Sequence, residues 1–291
     1  MIGFVHIAKT AGTSVKFILR NSFGLGHCNL RTLRGDGTAV DEDLDFAKKV
    51  YFNLRSVSGH TLVDPTVNLS EPIRYFTFLR DPLKRTASHY QQYVRHGRRQ
   101  GKDTDFETYI RAPRNQDRQV RKIAGTRDLE KAKQLIAERF FFVGLVERFE
   151  ESVSVLARLC PYPLDVRYPR LKVTKVNTEK DQVLADPTTR AMLEEANQLD
   201  LALYEHVRDV VYPAQLEQAR LDEPGVLAEE VQGMGLTFSY RLNRSFTQAI
   251  YRPLVKRQRK KRKRADRADG RGPAAGGAPA GGDEEREAAA G

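Results

Sequence analysis

The sequence predicts an α/β fold, a parallel sheet flanked by helices on both faces, followed by a disordered basic C-terminal tail. Three observations predict it. Short apolar runs alternate with segments whose apolar residues recur at helical spacing, the pattern of strand–helix–strand crossovers. The strongest of these runs, Ile2–Ile7 and Ile73–Leu79, are nearly continuous in apolar residues, as strands covered on both faces are. Beyond about Tyr212 the alternation weakens, and the chain ends in charged and then Gly/Ala/Pro-rich sequence.

Taken in order, residues 2–7 read as the first strand and residues 13–23 as its helix, with Val15, Ile18 and Leu19 on one side. Residues 24–46 carry scattered Gly, Asp and Thr and read as a loop. Residues 50–58, with Val50, Tyr51, Phe52, Leu54 and Val57, read as a second short strand that ends at Ser58-Gly59-His60-Thr61. Ile73–Leu79 is dense in β-branched and aromatic residues and runs into Arg80-Asp81-Pro82. Pro82 opens a helix, because the N–H it lacks would have no partner at the first helical position.

Residues 95–103 form a basic loop, 105–111 and 115–124 short helices, and 128–138 a charged helix. Arg139–Gly144 reads as a fourth strand, followed by a helix over about 147–159. Residues 161–187, rich in Pro and basic residues, read as a long loop over one face, and Pro187 opens the last strong helix. The domain reading is therefore an α/β domain over 1–212, a partly ordered extension over 213–251, and a disordered tail over 252–291. In that tail Lys256–Arg264 has eight basic residues out of nine, a self-repelling run. Gly270–Gly291 is too rich in Gly, Ala and Pro to build a core.

The net charge is +11: residues 252–267 contribute +9, residues 268–291 contribute −3, and residues 1–251 only +5. Such a mildly basic domain suits an anionic substrate without requiring nucleic acid. The two cysteines, Cys28 and Cys160, form no CxxC pair, which removes a zinc ribbon or redox motif, and read as reduced packing thiols. No stretch reaches the ~18 consecutive apolar residues of a membrane span. The first strand begins almost at Met1, leaving no room for a signal peptide, so a cytoplasmic location is expected.

The stretch that organises the chain is Phe4-Val-His-Ile-Ala-Lys-Thr-Ala-Gly-Thr-Ser-Val-Lys16. A strand, a tight turn and a helix point several backbone N–H groups at one spot, and the helix start adds a partial positive charge that favours phosphate or sulfate. Gly12 permits close backbone approach, Lys9 adds a full charge, and Thr10, Thr13 and Ser14 add hydroxyls. The triphosphate loop GxxxxGK[ST] is different, with its Lys and metal-binding hydroxyl at the far end. Lys9, His60 and Arg80 each follow a predicted strand. In parallel sheets ligands bind beyond the carboxyl ends of the strands, so the three are expected at one rim.

Five stretches together resemble sulfotransferases, and within them the branch of heparan sulfate 2-O-sulfotransferases and related carbohydrate sulfotransferases. They are Val5–Ser14, Ser58–Thr61, Phe78–Tyr90, Asn115–Val120 with Ala124-Gly125, and Phe142–Phe149, in the family's order over roughly residues 2–212. Two departures from the family pattern are read: Ala8 stands where Pro usually precedes the loop Lys, and the N-terminal membrane anchor of the Golgi members is not expected here. The resemblance implies a P-loop-like fold related to nucleotide kinases. It also implies transfer of a sulfuryl group from 3′-phosphoadenosine 5′-phosphosulfate (PAPS) to a hydroxyl acceptor, carbohydrate-like or small, with no metal.

On that resemblance Lys9, Thr10, Ala11, Gly12, Thr13 and Ser14 hold the 5′-phosphosulfate, and Arg80 and Ser88 the 3′-phosphate. Lys9 stabilises charge on the leaving phosphate, and His60 is the general base. Asn177 and Lys180 belong to a basic segment that closes over the cofactor. The tail at 252–267 is a contact for a polyanion or membrane surface. Two alternatives stay open: a P-loop kinase, for which no GK[ST] ending or acidic strand end is evident, and a polyanion-binding protein acting through its tail.

Overall fold

The computed structural model describes residues 1–35, 37–64, 69–101, 104–169, 178–220 and 225–268. Its core is a sheet of β1 (Ile2–Val5), β2 (His27–Asn29), β3 (Ser56–Gly59), β4 (Arg74–Leu79) and β5 (Phe140–Leu145). The strands lie in the order β2–β3–β1–β4–β5, and every neighbouring pair is parallel. The chain goes outward from β1 to β2, returns to β3, then steps across β1 to β4 and β5. Its direction reverses between β1 and β4, and such a reversal opens a crevice at the carboxyl ends of the strands.

The helices are α1 (Gly12–Phe23), α2 (Asp41–Val50), α3 (Pro82–Arg98), α4 (Phe106–Arg111), α5 (Arg118–Ala124), α6 (Leu129–Arg139) and α7 (Phe149–Leu159). They continue with α8 (Thr178–Ala185), α9 (Pro187–Ala196), α10 (Gln198–His206), α11 (Tyr212–Ala219), α12 (Phe238–Phe246) and α13 (Arg252–Ala268). Aromatic side chains fill the sheet faces: Phe4 stacks on Phe76 at 5.1 Å, and Phe78 meets Phe142 at 5.6 Å and Phe149 at 5.5 Å between ring centroids. A second apolar cluster joins α3, α4, α8 and α9 through Leu83, Tyr90, Phe106, Tyr109, Val183 and Leu193. Among the described residues no helix is long and apolar enough to cross a membrane. Both cysteines are free, and burial pushes the Cys28 thiol up to about 12.

Three expectations are corrected. The loop expected over 24–46 contains β2 and the start of α2, and Val50 ends that helix instead of opening a strand. Acidic Asp41, Glu42 and Asp43 in the first turn of α2 and Lys48 and Lys49 in its last complement the helix dipole, and this outweighs the strand-like Val50-Tyr-Phe pattern. Within the loop expected over 161–187, residues 178–185 are helical, and Asn177 lies outside the described residues. The basic run expected to be disordered is α13 as far as Ala268. It joins α12 through one wider helical turn, Thr247–Tyr251, giving a continuous helix from Phe238.

That helix forms because it is docked. Tyr251 and Val255 are buried in the core, Tyr251 5.2 Å from Tyr51 between ring centroids. Arg259 Nε donates to the Thr32 carbonyl at 3.0 Å, and Arg262 pairs with Glu42. Upstream, buried Asn243 donates from Nδ2 to the carbonyls of Gly24 and His27, both at 2.7 Å, so α12 shields the edge of the sheet at β2. Replacing Asn243 with Leu takes the buried donor from the His27 carbonyl, while the Gly24 carbonyl keeps the His27 N–H; we expect a loss of about 1–3 kcal/mol in urea unfolding, with faster amide exchange in β2.

Candidate active site

The loop after β1 is built around one close approach. A Cβ at position 12 would lie 1.8 Å from His6 Nε2, so only Gly allows α1 to begin there. Lys9 (φ 72°) and Ala11 (φ 55°) both adopt left-handed backbone, a conformation that non-Gly residues rarely hold without support. Thr10 is fully buried, and its hydroxyl donates to the Ile7 carbonyl at 3.0 Å, tightening the turn. Thr13 is exposed and Ser14 half-buried at the helix start. Helix α1 has no side-chain cap and no acidic residue in its first turn. By contrast α3, α4, α6 and α9 each begin with an Asp whose carboxylate accepts a backbone N–H. The positive end of α1 is thus left for something outside the helix.

His60 directly follows β3. Its Nδ1 lies 3.2 Å from the His6 carbonyl. A carbonyl only accepts, so Nδ1 carries the proton and Nε2 the lone pair. The two imidazoles lie 3.9 Å apart between centroids, tilted by 34°. The ammonium of Lys122 donates to the His60 carbonyl.

Arg80 directly follows β4, and its guanidinium donates from Nη1 to the Lys9 carbonyl at 3.2 Å. The two loops therefore touch. Among the described residues buried Arg80 Nε has no hydrogen-bond partner, and burial pulls the guanidinium below its usual pKa although Glu147 and Asp81 oppose this. The Gln119 side chain grips the Arg80 backbone from both sides, accepting from its N–H at 3.0 Å and donating to its carbonyl at 2.9 Å. Gln119 is placed by Asp200, whose carboxylate accepts the N–H groups of Gln119 (3.0 Å) and Val120 (2.8 Å) at the start of α5. The Asp81 N–H donates to Glu147 at 3.2 Å.

On α3, Ser88 is half-buried, and Gln92 accepts from the Lys9 ammonium at 3.0 Å. Between them, His89 holds Nδ1 2.6 Å from the Tyr109 hydroxyl. Lys180 lies on α8, which packs on α3 through the Arg98–Glu179 ion pair and Val183; its ammonium is 3.9 Å from Asp181.

The structure thus brings Lys9, His60 and Arg80 to one rim and ties all five family-like stretches together by hydrogen bonds. His6 meets His60, Lys9 meets Arg80, Arg80 meets Gln119, and Asp81 meets Glu147. Sequence reasoning noticed the stretches of Gln119 and Glu147 without finding what they hold. Gln92 and Asp200 carried no signal at all, since only the tertiary fold gives them partners.

The model for the sulfotransferase family matches residues 1–206, and the chain belongs to that family. A search of curated proteins returned no match. Family membership makes the protein a transferase of sulfuryl groups, and the crevice between β1 and β4 is its candidate active site.

Two outcomes follow from this geometry. Gly12→Ala drives a methyl group into His6, so we expect loss of anion binding together with a clear drop in thermal midpoint. Burial also holds His6, His27 and His89 well below the ordinary histidine range. The unfolded chain then takes up protons below about pH 6.5 that the folded chain refuses, so stability falls as pH drops through that value. Asp200, held up at about 6 by burial, and Asp43, also raised by burial, act in the opposite sense at lower pH, two groups against three. The urea midpoint should fall between pH 7 and 5, and fall less in His27→Gln.

Proposed function

We propose that the protein transfers a sulfuryl group from PAPS to a hydroxyl of a carbohydrate-like or small acceptor, with His60 as general base and without metal. The observation that carries this reading is the contact between Arg80 and Lys9 across the β1/β4 crevice, which supports two adjoining anion sites there. PAPS bears anionic groups at both ends of its ribose and needs two such sites.

The residues present suit it. The uncapped start of α1, with the N–H groups from Ala11 to Thr13 and the hydroxyls of Thr13 and Ser14, would hold the 5′ end; the Ser14 N–H already donates to the Ala11 carbonyl. Thr10 would contribute its N–H only, since its hydroxyl is spent within the loop. The Arg80 fork, with Nε unpartnered among the described residues, and Ser88 would hold the 3′-phosphate. Asn177 and Lys180 would close over the nucleotide.

When bound, the donor supplies the sulfuryl group and a phosphate leaving group. Lys9, already at the rim, would offset the charge that grows on the leaving oxygen. His60 is anchored through Nδ1, so Nε2 would take the acceptor's proton. Gln119 keeps Arg80 in place, and a displaced Arg80 would loosen the donor.

Calorimetry with 3′-phosphoadenosine 5′-phosphate in excess chelator tests the donor site. We expect one-to-one binding that Arg80→Ala abolishes, and no heat in the wild type would overturn the reading. His60→Ala should lower kcat by ~10²–10⁴-fold and leave nucleotide affinity unchanged.

A further inference from the structure

The crevice holds a second imidazole that the reaction drawn above does not use. His89 lies on α3, one position after Ser88 and three before Gln92, whose side chain accepts from the Lys9 ammonium at 3.0 Å. Residues three apart on a helix share a face, so His89 stands on the side of α3 that meets Lys9. Burial first, and then the charges of Arg118, Arg85, Lys9 and His60, keep its ring neutral. Lys9 and His60 are therefore both close enough for their fields to reach it.

Its hydrogen bond fixes which nitrogen carries the proton. Nδ1 lies 2.6 Å from the hydroxyl of Tyr109 on α4. Tyr109 is only 2% exposed, its ring packed 5.1 Å from Tyr90 and 5.4 Å from Tyr93 between centroids. Among the described residues its hydroxyl has no other hydrogen-bond partner. Were Nδ1 to donate, the phenol proton would be buried without an acceptor, at the full cost of an unpaired donor. Burial pushes the phenol up to about 12, so it keeps its proton, and the charges of Arg85 and Arg118 make it the stronger donor of the pair. The hydroxyl therefore donates to Nδ1, and the neutral ring carries its own proton at Nε2. Among the described residues Nε2 has no hydrogen-bond partner, and it is open to solvent.

His89 is thus the reverse of His60, which donates from Nδ1 to the His6 carbonyl and keeps a lone pair at Nε2. One imidazole of the crevice can take a proton, and the other offers an N–H. On the reading above, Lys9 stands at the leaving oxygen and His60 at the attacking one. The group between those two oxygens is the sulfuryl group in transfer, and a donor that both Lys9 and His60 can influence stands beside it.

We propose that His89 is a further catalytic residue, a neutral hydrogen-bond donor through Nε2 to a non-bridging oxygen of the sulfuryl group, and that Tyr109 is the positioning residue that fixes its tautomer. This rests on the PAPS reading above. The step balances without a proton from His89. The acceptor oxygen bonds to sulfur as its proton passes to His60 Nε2. The bond from sulfur to the phosphate oxygen breaks, and its electron pair stays on that oxygen beside Lys9. His89 keeps its proton throughout, holds the sulfuryl group in line and offsets charge on its oxygens. Being neutral, it adds direction without competing with Lys9 for the leaving phosphate.

Nitrogen NMR of the ligand-free protein, labelled at histidine, reads the tautomer directly. We expect the His89 signals, assigned by their loss in His89→Gln, to show a bare Nδ1 and a protonated Nε2 at neutral pH. In Tyr109→Phe, which keeps the packed ring, both tautomers should be populated. A proton on Nδ1 in the wild type would overturn the proposal. Calorimetry without acceptor gives a second readout. His89→Ala should weaken PAPS several-fold and leave 3′-phosphoadenosine 5′-phosphate, which lacks the sulfuryl group, as in the wild type. His89→Gln, whose amide N–H falls near the place of Nε2, should restore PAPS affinity. Equal effects on both nucleotides would overturn the contact with the sulfuryl group.

Turnover is read as nucleotide released from PAPS with water as the acceptor. His89→Ala should lower that rate by ~10²-fold, the scale of one lost preorganised donor, with Tyr109→Phe in between and His89→Gln near the wild type. The rise of rate with pH, set by His60, should keep its midpoint in His89→Gln. A His89→Gln enzyme as inactive as His60→Ala, or an unchanged rate in His89→Ala, would overturn the proposal. Should the Ala variant unfold, the wild-type tautomer and the Gln variant still decide. Failure of the desulfated nucleotide to bind the wild type sinks the donor reading itself, whereas normal binding with an unaffected His89→Ala sinks this proposal alone.

Discussion

The arrangement depends on one constraint: β1 runs between two parallel neighbours, one reached before the chain crosses the sheet and one after. Register pairs Val5 with Gly59 on one side and Phe4 with Phe76 on the other, so three loops leave the sheet within a few residues of a common line. No other strand of this sheet has that position at the reversal of direction. The Arg80–Lys9 and His60–His6 contacts follow from it, because each side chain needs to cross only one strand spacing, about 4.8 Å, to reach the neighbouring loop.

The loops at this line are less favourable than the elements beneath them. Lys9 and Ala11 each hold a left-handed backbone that costs about 1–2 kcal/mol for a residue with a side chain. Arg80 Nε and two nitrogens of fully buried Arg85 lack hydrogen-bond partners among the described residues, and α1 begins without a cap. These features are tolerated because the strands below are buried among Phe4, Phe76, Phe78 and Phe142, all inaccessible to solvent. An anion at the rim would satisfy several of them at once. Donors held by so rigid a base are already aimed before a ligand arrives.

Where the sequence was legible, local chemistry and tertiary role agreed. Lys9, Gly12, His60 and Arg80 are visible because each directly follows or closely trails an apolar strand, and because a parallel sheet forces strand ends together. The region from 24 to 50 was misread because Val50-Tyr-Phe has a strand's composition, while the signal that decides it is charge at the two ends of α2. The basic run was misread because charge density alone argues for disorder. The helix is held by Tyr251, Val255, Arg259 and Arg262, and the residues they meet lie over 200 positions earlier in the chain. Gln119 and Asp200 were illegible for the same reason. A Gln that clamps a backbone and a carboxylate that caps a helix from outside it look like any polar residue until the fold closes.

The choice of partner for His60 has a further consequence for the proposed reaction. A general base is often oriented by a carboxylate, which fixes the ring and also strengthens it by placing a negative charge beside it. Here a neutral carbonyl does the orienting. At this rim the difference matters, since a carboxylate a few ångströms from Lys9 would offset the charge that the donor's sulfate and phosphates need and would repel them directly. The carbonyl fixes the tautomer and adds no net charge, so the positive field from Lys9, Arg80 and the start of α1 is left intact. The acidic groups near the site, Asp81, Glu147 and Asp200, follow the same logic. Each is engaged by backbone N–H groups, and their hydrogen bonds tie Arg80, Gln119 and α3 in place, while Glu147 and Asp81 also favour the charged form of Arg80.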